Sequence, residues 1–77
     1  LAFEAMRAGG SMPTVYNAAN EKAVSLFLDG EISFLRIAEI IEACMREHKV
    51  IENPDVDQIL EAESQTYDMI SHHILRR

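Results

Sequence analysis

No apolar run in this sequence exceeds three residues, whereas a helix that crosses a bilayer needs about 20. No stretch has the pattern of a secretory signal peptide. A single cysteine, Cys44, excludes an internal disulfide and leaves no thiol pair to clip a metal. Basic residues are scarce: seven Lys and Arg stand against 13 Asp and Glu, the formal net charge is −6, and no basic cluster exceeds Arg76-Arg77. Neutralising phosphates takes several basic side chains on one face, so nucleic acid and anionic membrane surfaces are not expected partners. Strict period-2 alternation is also missing, and the Asp29-Gly30 pair is flanked by helical patterns on both sides, so strands and hairpins are not expected.

What is present is enough for one small domain. Seventy-seven residues with 48% apolar content exclude disorder, yet a chain this short buries only roughly 60% of its unfolded surface. Helix packing must then hold the fold alone, and a reducing cytoplasm suits the lone thiol. The chain opens on Leu1, with Leu1–Ala8 already helical in composition and no capping residue ahead of it. We read it as a segment of a longer polypeptide.

Start and stop signals divide residues 1–77 into four helices. Gly9-Gly10 closes the first, and Pro13 suits the first turn of the second. A stripe of Val15, Ala19, Ala23, Leu26 and Phe27 marks the second helix, which Asp29-Gly30 ends. Ser33 is placed to cap the third, with Ile32 and Ile37 as a hydrophobic staple. Its expected inner face is Phe34, Ile37, Ala38, Ile41, Cys44, Met45 and His48, widened by Leu35 and Ile40. Asn53 as cap and Pro54 as first residue open the fourth, with Val56, Ile59, Leu60, Glu63, Tyr67, Ile70 and Ile74 as its stripe. His72, His73, Arg76 and Arg77 crowd its last turn, where positive charge suits the helix dipole. The expected fold class is all-α, a small bundle of about four helices with short loops and mostly antiparallel neighbours.

Chemistry is harder to find. His72 and His73 point about 100° apart on a helix and cannot face one metal. Cys44 on an apolar stripe reads as a small buried hydrophobe. No glycine-rich phosphate loop and no acidic cluster with metal spacing is visible, so no catalytic, cofactor-binding or metal-binding residue is expected in this chain. One feature stands out. Asn17, Asn20 and Glu21 fall in one quadrant of the second helix, where Asn is several tenths of a kcal/mol worse than Ala. These three are the candidates for structural hydrogen bonds within the domain, expected of at least one Asn, or for contacts to other domains.

The block Asn17-Ala18-Ala19-Asn20-Glu21, Ala23-Val24, Phe27-Leu28-Asp29-Gly30, Ile32, Phe34 and then Asn53-Pro54 resembles the C-terminal domain of 1-deoxy-D-xylulose 5-phosphate reductoisomerase. The resemblance implies a longer parent with an NADPH-binding domain, a catalytic domain holding a divalent metal (Mg or Mn), and this helical domain as a buttress. It implies a homodimeric parent that makes 2-C-methyl-D-erythritol 4-phosphate for isoprenoid synthesis. The dinucleotide, phosphate and metal motifs of that family belong to the other domains, so the isolated chain is expected to be inactive. Many members carry an Asp and, four residues later, an Arg near the middle of the last helix; Glu63 and Tyr67 stand there in this chain. The competing reading is a free-standing helical interaction module offering an apolar groove to a partner helix.

Overall fold

A computed structural model describes residues 1–74. It contains α1 (Ala2–Ala8), α2 (Met12–Leu28), α3 (Phe34–Glu47) and α4 (Val56–Met69), the last running on into a π-helical turn, Ile70–Ile74. No strand occurs among the described residues. The expected all-α class is therefore observed. Arg76 and Arg77 lie outside the described residues, as do the side chains of His73 and Ile74.

The longest helix is also the central one: α1, α3 and α4 all pack on α2. Its inner face is built from Met12, Val15, Ala18, Ala19, Ala23 and Leu26. Alanine at three of these positions lets neighbouring helices approach closely, and Ala19 and Ala23 join Ile40, Ile41, Cys44, Ala62 and Ile70 in one core. At its C-terminus the Gly30 N–H bonds to the Phe27 carbonyl and the Glu31 N–H to the Leu26 carbonyl. That paired closure needs a left-handed residue, and Gly30 has φ +79°. The chain then doubles back into α3. Phe27 touches Phe34 at one end of this pair and Ser11 touches His48 at the other, so α2 and α3 are antiparallel.

Three expectations are corrected. Phe27 is not a core residue of α2; it sits at the rim, edge-to-face against Phe34 with ring centroids 5.6 Å apart. On α3 the buried row is Ile40, Ile41 and Cys44, with Ile37 and Met45 half-buried, while Phe34, Leu35 and Ala38 are exposed. Ile40, expected at the margin, is 0% exposed. Ser33 does precede α3 in extended backbone without a side-chain cap bond, and Ile32 and Ile37 both pack on the core as a staple would.

The third correction concerns α4. Its cap is Asp55, not Asn53, and Pro54 precedes the cap. Asp55 accepts the Gln58 N–H at 2.8 Å while Gln58 Oε1 accepts the Asp55 N–H at 2.9 Å. This reciprocal box satisfies two orphan donors where Asn53 would satisfy one. Asn53 instead turns the chain at φ +50°, a conformation Asn tolerates. Ala62, Thr66 and Ile70 face inward, and the expected stripe of Val56, Ile59, Leu60 and Glu63 is exposed. The Thr66 hydroxyl is satisfied by the Ala62 carbonyl at 2.8 Å, which lets a polar residue serve on the buried face.

Candidate functional site

The outward face of α2 carries the polar candidates. Asn17 and Glu21 are exposed and Asn20 is half-buried. Their side chains make no hydrogen bond to the described residues. Glu21 does have a neighbour. It lines a cleft with Lys22, Ser25 and Tyr67 of α4. Partial burial raises the Tyr67 phenol above its ordinary pKa, and the carboxylates of Glu21 and Glu63 push it further in the same direction. The Tyr67 phenol therefore stays protonated and can donate.

Helical spacing extends this polar quadrant. Val24, Phe27 and Leu28 follow Asn17, Asn20 and Glu21 at intervals of three and four residues, and all six fall within about a third of the helix circumference. The face thus changes along its length, from amide and carboxylate to aliphatic and aromatic.

A second polar group lies at the opposite end of α2, and composition alone did not point to it. Ser11 is 0% exposed. Its Oγ accepts the Ile51 N–H at 2.8 Å and lies 2.6 Å from His48 Nε2, while its own N–H donates to the Ile51 carbonyl at 3.0 Å. Burial holds the His48 imidazole below its ordinary pKa, which favours the neutral ring at this joint. Gly10 makes the approach possible: a Cβ there would run into the Ile51 carbonyl oxygen. His48, expected on the apolar stripe of α3, has left the helix in extended backbone to reach this joint. A small polar residue ahead of Met12-Pro13 was the available signal, but it reads equally as a local cap.

A serine beside a histidine suggests nucleophilic catalysis, and the geometry argues against it. The Ser11 hydroxyl has no exposed surface and both of its hydrogen-bonding directions are used within the chain, so no substrate carbonyl can reach it. Cys44 is equally inert. It is buried, and desolvation pushes its thiol up to about 11, away from the reactive thiolate. His72 is exposed. Among the described residues no three His, Cys, Asp or Glu side chains converge as a metal site would require, and no helix is long and apolar enough to cross a membrane.

The described residues thus form a small all-α domain with one internally tied end and one open face. The family model of the DXP reductoisomerase C-terminal domain matches residues 1–69, and the chain belongs to that family. It is 58% identical over 71 residues to a 1-deoxy-D-xylulose 5-phosphate reductoisomerase of Agathobacter rectalis, covering 92% of this chain and 19% of the relative. Against the enzyme of the same name from Exiguobacterium sibiricum the identity is 64% over 63 residues, 82% of this chain and 16% of the relative. For that of Thermoanaerobacter sp. strain X514 it is 50% over 76 residues, 99% and 20%. The chain thus spans about one-fifth or less of the length of these relatives. No solved structure matches it.

Proposed function

We propose that this chain is the C-terminal helical domain of a longer, NADPH-dependent reductoisomerase that converts 1-deoxy-D-xylulose 5-phosphate to 2-C-methyl-D-erythritol 4-phosphate in isoprenoid precursor synthesis. The observation that carries the reading is the extent of the match: 92% of this chain aligns with only 19% of a relative bearing that name. Domain-sized identity of this kind fits a part of the enzyme, with residues 1–77 as one folded unit.

NADPH and a divalent metal, Mg or Mn, belong to the parent in this reading. The side chains described here do not fit either group: no convergent donor set exists among them, and the sequence has no dinucleotide loop. Catalysis is the work of the remaining domains, and this domain's task is to hold them in place. A homodimeric parent in the cytoplasm goes with the same reading. Asn17, Asn20 and Glu21 serve it as contacts to another domain, since their side-chain polar atoms have no hydrogen-bond partner among the described residues.

The test is to express the parent polypeptide and follow NADPH oxidation with 1-deoxy-D-xylulose 5-phosphate, beside the 77-residue chain alone. Turnover by the parent and none by the separate chain is the expected result. A parent without turnover, or turnover by the purified 77-residue chain, would end this reading.

A further inference from the structure

Exposed rows on α2 and α4 meet at one cleft, lined by Glu21, Lys22, Ser25 and Tyr67. Along α4, Val56, Leu60, Glu63 and Tyr67 are spaced by four, three and four residues, which places them on one face. Val56 is 71% and Leu60 57% exposed, so an aliphatic ridge stands in solvent over the first two turns. Along α2 the outward row ends in Phe27 and Leu28, with Phe34 stacked against Phe27 and Leu28 75% exposed. Tyr67 bridges the two rows, because it shares a cleft with Glu21, Lys22 and Ser25 of α2 while sitting one turn from Glu63 on its own helix.

Apolar groups repeated along a helix face mark an interaction surface more strongly than single exposed apolar residues, which are ordinary. Elsewhere large side chains are exposed on α1, at Phe3 and Met6, and on α3, at Leu35. Phe3 lies under the Arg7 guanidinium at 5.8 Å, and Leu35 projects from the side of α3 opposite its buried row. The composition of the joined face says what covers it. Two Asn amides and two carboxylates are mixed among the aliphatic groups, which suits an interface between domains of one chain, generally more polar than that of an obligate dimer. The missing mass points the same way, since about four-fifths of each relative lies outside the matched segment. A tethered domain also meets its neighbour at high effective concentration, so a modest, mixed surface suffices.

We propose that the joined outward faces of α2 and α4 are the surface on which the rest of the parent polypeptide packs. This inference rests on the chain being one domain of a longer reductoisomerase. The complementary surface offers apolar side chains to Leu28 and Leu60, amide or backbone groups to Asn17 and Asn20, and a basic group to Glu21 and Glu63.

Thiol alkylation in the intact parent tests it, with Leu28→Cys, Leu60→Cys and the reference Leu35→Cys prepared separately and the label located by peptide mass spectrometry. Cys44 reports folding, because it reacts only if the domain opens. Where Cys44 reacts, Val24→Cys replaces Leu28→Cys and Val56→Cys replaces Leu60→Cys. The proposal expects positions 28 and 60 to react roughly tenfold or more slowly than position 35, since alkylation then waits for a local opening. Equal rates at all three positions in an active parent would overturn the surface and leave the family reading intact. Protection in a parent without reductoisomerase turnover would support the surface and remove the activity. Protection that disappears on dilution would also overturn the proposal, because the cover would then be a second copy.

Discussion

α3 and α4 are both 14 residues long, and they use their large apolar side chains in opposite ways. α3 turns Ile40 and Ile41 onto α2 and buries them almost completely. α4 turns Ala62 and Thr66 inward and leaves Val56 and Leu60 in solvent. Both rows have helical spacing, so hydrophobic periodicity alone ranks them equally. What separates them is the surface they meet. The alanines of α2 admit a neighbour whose facing residues are small, and α4 offers a small row one side over from its aliphatic ridge. An amphipathic stripe therefore identifies a helix more securely than it identifies the face that helix buries.

The largest expected effect is on the α3 side of that contrast. Ile40→Ala removes a fully buried side chain and should cost about 2–5 kcal/mol in denaturant melts. That loss is comparable with the net stability a core this small can supply, roughly 3–5 kcal/mol. A loss below about 0.5 kcal/mol would mean that α3 is no better anchored than the outer row of α4.

Ser11→Ala comes next, because it acts on the loop that joins the two helices. The substitution strips the Ile51 N–H of its acceptor and the His48 ring of its hydrogen-bond partner, and an unsatisfied buried group costs about 1–3 kcal/mol. Faster hydrogen exchange at Ile51 should accompany it. Unchanged exchange there would show that the joint does not hold the loop.

The same joint gives a pH dependence. The folded pKa of His48 lies below its ordinary value of 6.5, so the unfolded chain binds the proton more readily. Stability should therefore be full above about pH 6.5 and fall as pH drops through that value toward the folded pKa. Replacing His48 by Gln should flatten that part of the curve. A profile equally steep without the imidazole would assign the acid sensitivity to other groups.

The smallest effects are expected on the open face. Leu60→Ala and Asn17→Ala should each change the stability of the separate chain by no more than about 0.5 kcal/mol, with Asn17→Ala on the stabilising side through helix propensity. In the parent both should be destabilising. Losses of about 2 kcal/mol for Leu60→Ala in the separate chain would place it in the core and erase the contrast between α3 and α4.

The sequence by itself determined the helices, their punctuation and their family. Glycine at positions 9 and 30, Ser33 ahead of α3 and the spacing of Val15, Ala19, Ala23, Ile41 and Cys44 act through local backbone geometry and short-range periodicity, and both are written in consecutive residues. The polar quadrant of Asn17, Asn20 and Glu21 was legible for the same reason, as a departure from good helix formers. Tertiary structure alone decided which side of α4 faces inward, because small residues carry little hydrophobic signal and gain their value only against the alanines of another helix. It alone paired Ser11 with His48 and Ile51, since a hydrogen bond across 37 or 40 residues leaves no periodic trace along the chain. And it alone brought Tyr67 of α4 to the cleft with Glu21, Lys22 and Ser25 of α2, a property of how two helices are set side by side.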